Sequence, residues 1–137
     1  MLNLLSPIGM LWKLWKWVDA QTSRVSKPIE LELSWLPIPK RYGGSSVRAI
    51  TLWPLILYRT GSKTTCVQQH EHYHWYQIKQ WGVIPWYMAY VLLYLNMRTR
   101  DRYIYKAWEH PLETAAYELE QRCNAQLQTL TGDSASR

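Results

Sequence analysis

The chain has 137 residues, of which 47% are hydrophobic, 14% aromatic and 19% charged. Those proportions exclude a disordered chain and suit one domain that buries roughly two-thirds of its unfolded surface. Sixteen basic and ten acidic residues give a net charge of +6, which leans toward acidic partners without selecting one, and nucleic-acid binding is not expected from it.

Residues 1–20 are apolar but do not read as a signal peptide. The amino-terminal end carries no basic residue, and Lys13 and Lys16 interrupt the apolar core. An amphipathic helix after Pro7 is expected, with Leu11, Leu14, Trp15 and Val18 inward, followed by a polar linker to residue 28. Its tryptophans Trp12, Trp15 and Trp17 offer a possible membrane-surface contact; the expected setting is cytoplasmic or membrane-peripheral. The main domain is expected over residues 29–130, with a disordered tail over 131–137.

Ile29 to Leu36 alternates apolar and polar residues and predicts a half-buried strand. Two further β-type runs, Val47–Trp53 and Leu55–Arg59, are interrupted by Pro54, which predicts an edge strand or a kink. Gly61-Ser62 then breaks the chain ahead of a helix from about Lys63 to Trp81, capped by Thr64 or Thr65 and closed at Gly82.

That helix carries His70-Glu71-His72-Tyr73-His74, an H-E-x-x-H pattern. Residues four apart lie one above the other, so both outer imidazoles can reach a single ion at about 2.0–2.1 Å, while the glutamate, turned by roughly 100°, stands beside it. Helical phase supports the pattern. Val67, His70, Glu71, His74, Gln77, Ile78 and Trp81 share a sector roughly 120° wide, and His72 falls on the opposite, solvated side.

Val83 to Met97 is the most apolar run. At fifteen residues it spans about 22 Å, short of a hydrocarbon core of about 30 Å, so a buried core helix is expected. A basic connection follows, Arg98-Thr99-Arg100-Asp101-Arg102, and Pro111 opens a last helix with Leu112, Ala116, Leu119, Cys123 and Leu130 as its buried face. Cys66 and Cys123 form no C-x-x-C pair, so a reducing compartment, or indifference to redox state, is the default expectation.

Two histidines leave a catalytic zinc one protein ligand short. A glycine and a histidine three and six residues beyond His74 would mark a metzincin, but Gln77 and Gln80 stand there. Asp101, Glu109, His110 and Glu113 are the downstream donors; Glu113, on the first turn of a rigid helix, is preferred and His110 held in reserve. Tyr117, one turn beyond Glu113, is a candidate oxyanion stabiliser, and Gln77 a candidate to orient a ligand histidine.

The run His70-Glu71-x-x-His74-x-x-Gln77, an aromatic-rich helix, and His110-Pro111-Leu112-Glu113-x-x-Ala116-Tyr117 together resemble the short zincin-fold, gluzincin-type HExxH metallopeptidase-like proteins of bacteria and phages. The resemblance covers roughly residues 42–121. It implies an α+β fold, a small antiparallel or mixed sheet packed on the HExxH helix and two further helices. It also implies Zn2+ held by His70, His74 and Glu113, with Glu71 as the base; the expected function is a zinc hydrolase, with a peptide or peptidoglycan peptide as the expected substrate. A non-catalytic zinc domain that binds a polyanion or membrane through Arg98, Arg100, Arg102 and Lys106 is the alternative.

Overall fold

The structure, a computed structural model, describes residues 7–36, 47–100 and 109–134. The fold is α+β. Helix α1 (Pro7–Arg24) precedes strand β1 (Ile29–Leu33), strands β2 (Ala49–Leu52) and β3 (Leu55–Arg59), then helices α2 (Thr65–Trp81), α3 (Val83–Arg100) and α4 (Pro111–Ser134). The three strands form a mixed sheet of order β1-β3-β2. β1 runs parallel to β3 with Leu31 opposite Leu57, and β2 pairs antiparallel to β3 with Thr51 opposite Ile56.

Pro54 lies in the turn between β2 and β3, after a cis Trp53–Pro54 bond. The proline therefore removes no ladder donor, and β3 is the central strand, with β2 at an edge. One face of the sheet packs on α2, where the buried side chains of Ala49, Ile56, Tyr58 and Val67 form a core cluster. The expected alternation of β1 is not kept: Glu30 and Leu33 are its half-buried residues and Glu32 is exposed. Glu30 meets α2 and its surroundings, bonded by Gln68, His72 and Lys63, whereas Ile29 and Leu31 are exposed.

Helix α2 starts where the Thr64 hydroxyl accepts from the Val67 amide, and ends at Gly82, whose amide donates to the Ile78 carbonyl. Gly82 adopts φ +87, and a β-carbon there would come within 3.2 Å of Asp19 Oδ1. The positive φ requires glycine, and a β-carbon would in addition crowd the Asp19 carboxylate of α1. Of the residues expected inward on α2, Trp81 is exposed, at the last turn before the chain reverses; Trp75 is buried instead, stacked on Trp53 at 3.8 Å.

A second core joins α2, α3 and α4 through Ile78, Trp86 and Leu112. Two sequence expectations need correction here. α3 buries only one face, with Met88, Val91, Leu92 and Leu95 exposed, so it is not a fully buried helix. On α4, Leu119 and Leu130 are exposed and Glu120 takes the buried position beside Ala116 and Cys123. That helix also runs on to Ser134, through part of the segment expected to be disordered. On α1, Trp15 and Val18 are partly buried, whereas Leu11 and Leu14 are exposed. The basic connection from Asp101 and Lys106 lies outside the described residues.

Cys66 and Cys123 form a disulfide between α2 and α4, with Cα atoms 5.5 Å apart. Disulfides persist in oxidising surroundings, so this bond stands against the expectation of a reducing compartment. Among the described residues no helix is long and apolar enough to cross a membrane.

Candidate metal centre

Helices α2 and α4 run antiparallel and meet along a ladder of side chains. Cys66 bonds Cys123, His70 meets Glu120 and Tyr117, His74 meets Glu113, and Gln77 meets the Leu112 carbonyl. As the α2 residue number rises by three or four at each step, the α4 partner falls from Cys123 through Glu120 and Tyr117 to Glu113 and Leu112, the order of an antiparallel pair.

At the middle of the ladder three atoms converge. His70 Nε2 and His74 Nε2 are 3.2 Å apart, and Glu113 Oε2 lies 3.2 Å from the first and 3.1 Å from the second. All three residues are buried. Among the described residues they form the cluster of donors able to share one ion. The spacing fits: bonds of about 2.0–2.1 Å at tetrahedral angles separate neighbouring ligand atoms by about 3.4 Å, close to the triangle observed. The donor chemistry fits as well. Two imidazole nitrogens aimed at each other across 3.2 Å repel if both carry protons, and a cation between them relieves that conflict.

Each of the three side chains is held from behind. Gln77 Oε1 accepts from Trp86 Nε1 (3.2 Å), and Gln77 Nε2 donates to the Leu112 carbonyl (3.2 Å), which fixes the orientation of the amide. The His74 Nδ1–H then donates to Gln77 Oε1 at 3.0 Å, leaving the His74 Nε2 lone pair inward. Glu113 turns its other oxygen to the Tyr90 hydroxyl, which donates at 2.8 Å. His70 Nδ1 lies 3.2 Å from Glu120 Oε2, an ion-pair contact too bent for a well-formed hydrogen bond, and Glu120 Oε1 accepts from Arg48 Nη2 at 2.6 Å.

The neighbouring carboxylates stabilise the protonated imidazoles, so a metal ion would enter in exchange for protons. Burial would lower the pKa of His70, but the carboxylates of Glu113 and Glu120 outweigh it and raise it to about 9. Burial likewise opposes the charge on His74, and Glu113 raises its pKa in turn. Burial would raise Glu113, yet the two imidazoles and Tyr90 hold it well below the usual carboxylate range. The His70 contact and Arg48 keep Glu120 low against its burial. Glu113 is thus a carboxylate, as a ligand must be.

Glu71 lies on the same buried face of α2. The Thr51 hydroxyl of β2 donates to Glu71 Oε2 at 2.7 Å, so the edge strand touches the helix at this residue. Burial pushes the Glu71 carboxyl up, only partly offset by His74 and Thr51. Tyr117 sets its ring edge-on to His70, with centroids 4.7 Å apart. His110 is not brought to the triangle. Its Nδ1 accepts from the Leu112 amide, its Nε2–H donates to the Tyr90 carbonyl, and its ring stacks on Tyr90. Outward-facing His72 pairs with Glu30, beside an open hollow of about 460 Å³ lined by Lys27, Pro28 and Trp75.

Sequence reasoning missed Glu120, Arg48 and Tyr90. Glu120 carried a usable signal, an acid seven residues after Glu113 on the stripe that also holds Ala116 and Cys123. Arg48 and Tyr90 carried none. Comparison with known proteins returns no matching family model, no matching curated protein and no matching solved structure.

Proposed function

We propose that this protein is a zinc-dependent hydrolase that cleaves an amide bond in a peptide or a peptidoglycan peptide. The observation that carries the reading is the triangle of His70, His74 and Glu113 donor atoms, 3.1–3.2 Å on each side, with a glutamate of raised pKa on the same helix face. Two imidazoles and one carboxylate leave the open position that catalytic zinc sites keep. Zinc in such a site lowers the pKa of bound water to about 7 and polarises a carbonyl. Two imidazoles and a carboxylate are a donor set that zinc takes.

The chain's own residues account for the rest. Glu71, destabilised as an anion by burial, is poised to accept a proton from water and return it to a leaving amine. Thr51 orients its carboxylate from β2. β2 lies at an edge of the sheet among the described residues, where an extended substrate can pair with the main chain beyond the Thr51 carbonyl that Tyr87 occupies. Tyr117, beside His70, is the candidate to donate to the developing oxyanion.

The enclosure of Glu71 and its 2.7 Å bond to Thr51 favour one second reading, a non-catalytic zinc domain in which Glu71 ties helix to sheet. One pair of variants separates the two. Metal analysis should find one zinc per wild-type chain and none in His74→Ala. Glu71→Gln should keep its zinc and lose all hydrolysis of a peptide library that wild type cleaves. A wild type that binds zinc and cleaves nothing leaves the second reading standing.

A further inference from the structure

Helix α1 supplies nothing to the metal centre, and α3 supplies only its inner face. On the outer face of α3, Met88, Val91, Leu92 and Leu95 follow one another at intervals of three, one and three residues and are all between 50% and 61% exposed. Apolar residues at that spacing form a continuous stripe, and such a stripe is normally buried. α1 packs against α3 and exposes Leu11, Leu14 and Trp17 to a similar degree. Two adjoining helices thus present large apolar side chains outward, more than a solvated surface usually carries in one place.

The polar residues on these helices indicate what covers them. α3 contains no acidic residue, and α1 contains one, Asp19, set against Gly82 at the far end of the helix. Lys13 and Lys16 stand among the tryptophans. Lys16 Nζ lies 5.1 Å from the ring centroids of both Trp12 and Trp15, which pack edge-on at 4.5 Å. A second copy of the chain would have to desolvate these ammonium groups within an apolar contact, where charge is depleted. An anionic lipid surface has a place for each group: acyl chains for the leucines, phosphates for the lysines, and the headgroup boundary for the indoles.

We propose that the outer faces of α1 and α3 dock, lying flat, on an anionic phospholipid bilayer. The contact is peripheral, since no described helix can span, and it uses none of the metal-site residues, so it stands or falls independently of the hydrolase reading.

Co-sedimentation of the full chain with sucrose-loaded vesicles tests it. Wild type should pellet with phosphatidylcholine vesicles containing roughly one-third phosphatidylglycerol, and less so as salt rises. Leu14→Glu with Leu92→Glu should weaken that partitioning by roughly tenfold or more. Lys13→Gln with Lys16→Gln should weaken it by about twentyfold on anionic vesicles and leave binding to pure phosphatidylcholine unchanged. All four positions are exposed, so circular dichroism should match wild type; a variant pair that does misfold is replaced by Val91→Gln with Leu95→Gln, for which the same loss is expected. A wild type that stays in the supernatant overturns the proposal, as do variants that pellet like wild type. A wild-type dimer in sedimentation velocity that Leu14→Glu with Leu92→Glu dissolves, without vesicle binding, assigns the face to a second copy instead.

Discussion

Replacing both half-cystines, Cys66→Ala with Cys123→Ala, removes the covalent rung of the ladder between α2 and α4. The two residues are 57 apart in sequence. In the chain-entropy account, closing a loop of that size takes about 14 cal/mol/K from the unfolded ensemble, or about 4 kcal/mol at 25 °C. Both sulfurs are buried, and alanine avoids leaving an unbonded hydroxyl in their place, so the loop term dominates. A loss of about 4 kcal/mol is a large share of the 5–15 kcal/mol by which domains are stable. Urea titration followed by far-ultraviolet circular dichroism measures it, with metal-free wild type beside the variant. A variant within about 1 kcal/mol of wild type would refute the reasoning, provided thiol titration shows the wild-type bond to be formed.

The other predictions concern the surroundings of the site and the core. Glu120→Gln should weaken zinc about tenfold in chelator competition, because the side chain behind His70 loses its charge; unchanged affinity would remove Glu120 from the site. Ile78→Ala, at a fully buried position where α2 meets α3 and α4, should cost about 2–5 kcal/mol in urea unfolding, and a cost below about 1 kcal/mol would mean that this core is loosely packed. Burial would raise Glu30, but Lys63, His72 and Gln68 lower it to about 2 from 4.5. A depressed folded-state pKa gives stability that is present above pH 4.5 and lost as pH falls toward 2. Solvent screening limits that contribution to about 1 kcal/mol. The gap in thermal stability between wild type and Glu30→Gln should therefore close across that window, and a gap independent of pH would contradict the assignment.

What the sequence disclosed depended on how far apart the cooperating residues lie. The Thr64 cap, the Gly82 stop and the shared face of His70, Glu71 and His74 follow from the geometry of one helix. Glu113 was reachable because a proline marks the start of its helix and few other donors follow His74. The disulfide was present in the numbers but not read. Once Glu113 is set against His74 on antiparallel helices, Cys66 and Cys123 fall near one level, two to three turns away. The half-buried Glu30 of β1 could not be foreseen, since its partners Gln68, His72 and Lys63 reach it only through tertiary packing. Nor could Arg48 or Tyr90, whose contacts with Glu120 and Glu113 exist only through tertiary packing.

The antiparallel pairing of α2 and α4 makes the three converging atoms a gauge of helix alignment. Slipping one helix by a single residue displaces its side chains by about 1.5 Å along the axis, most of the length of a metal–ligand bond. Mild substitutions at the non-covalent rungs of that seam should therefore surface first as a change in ion affinity and only later as a change in melting.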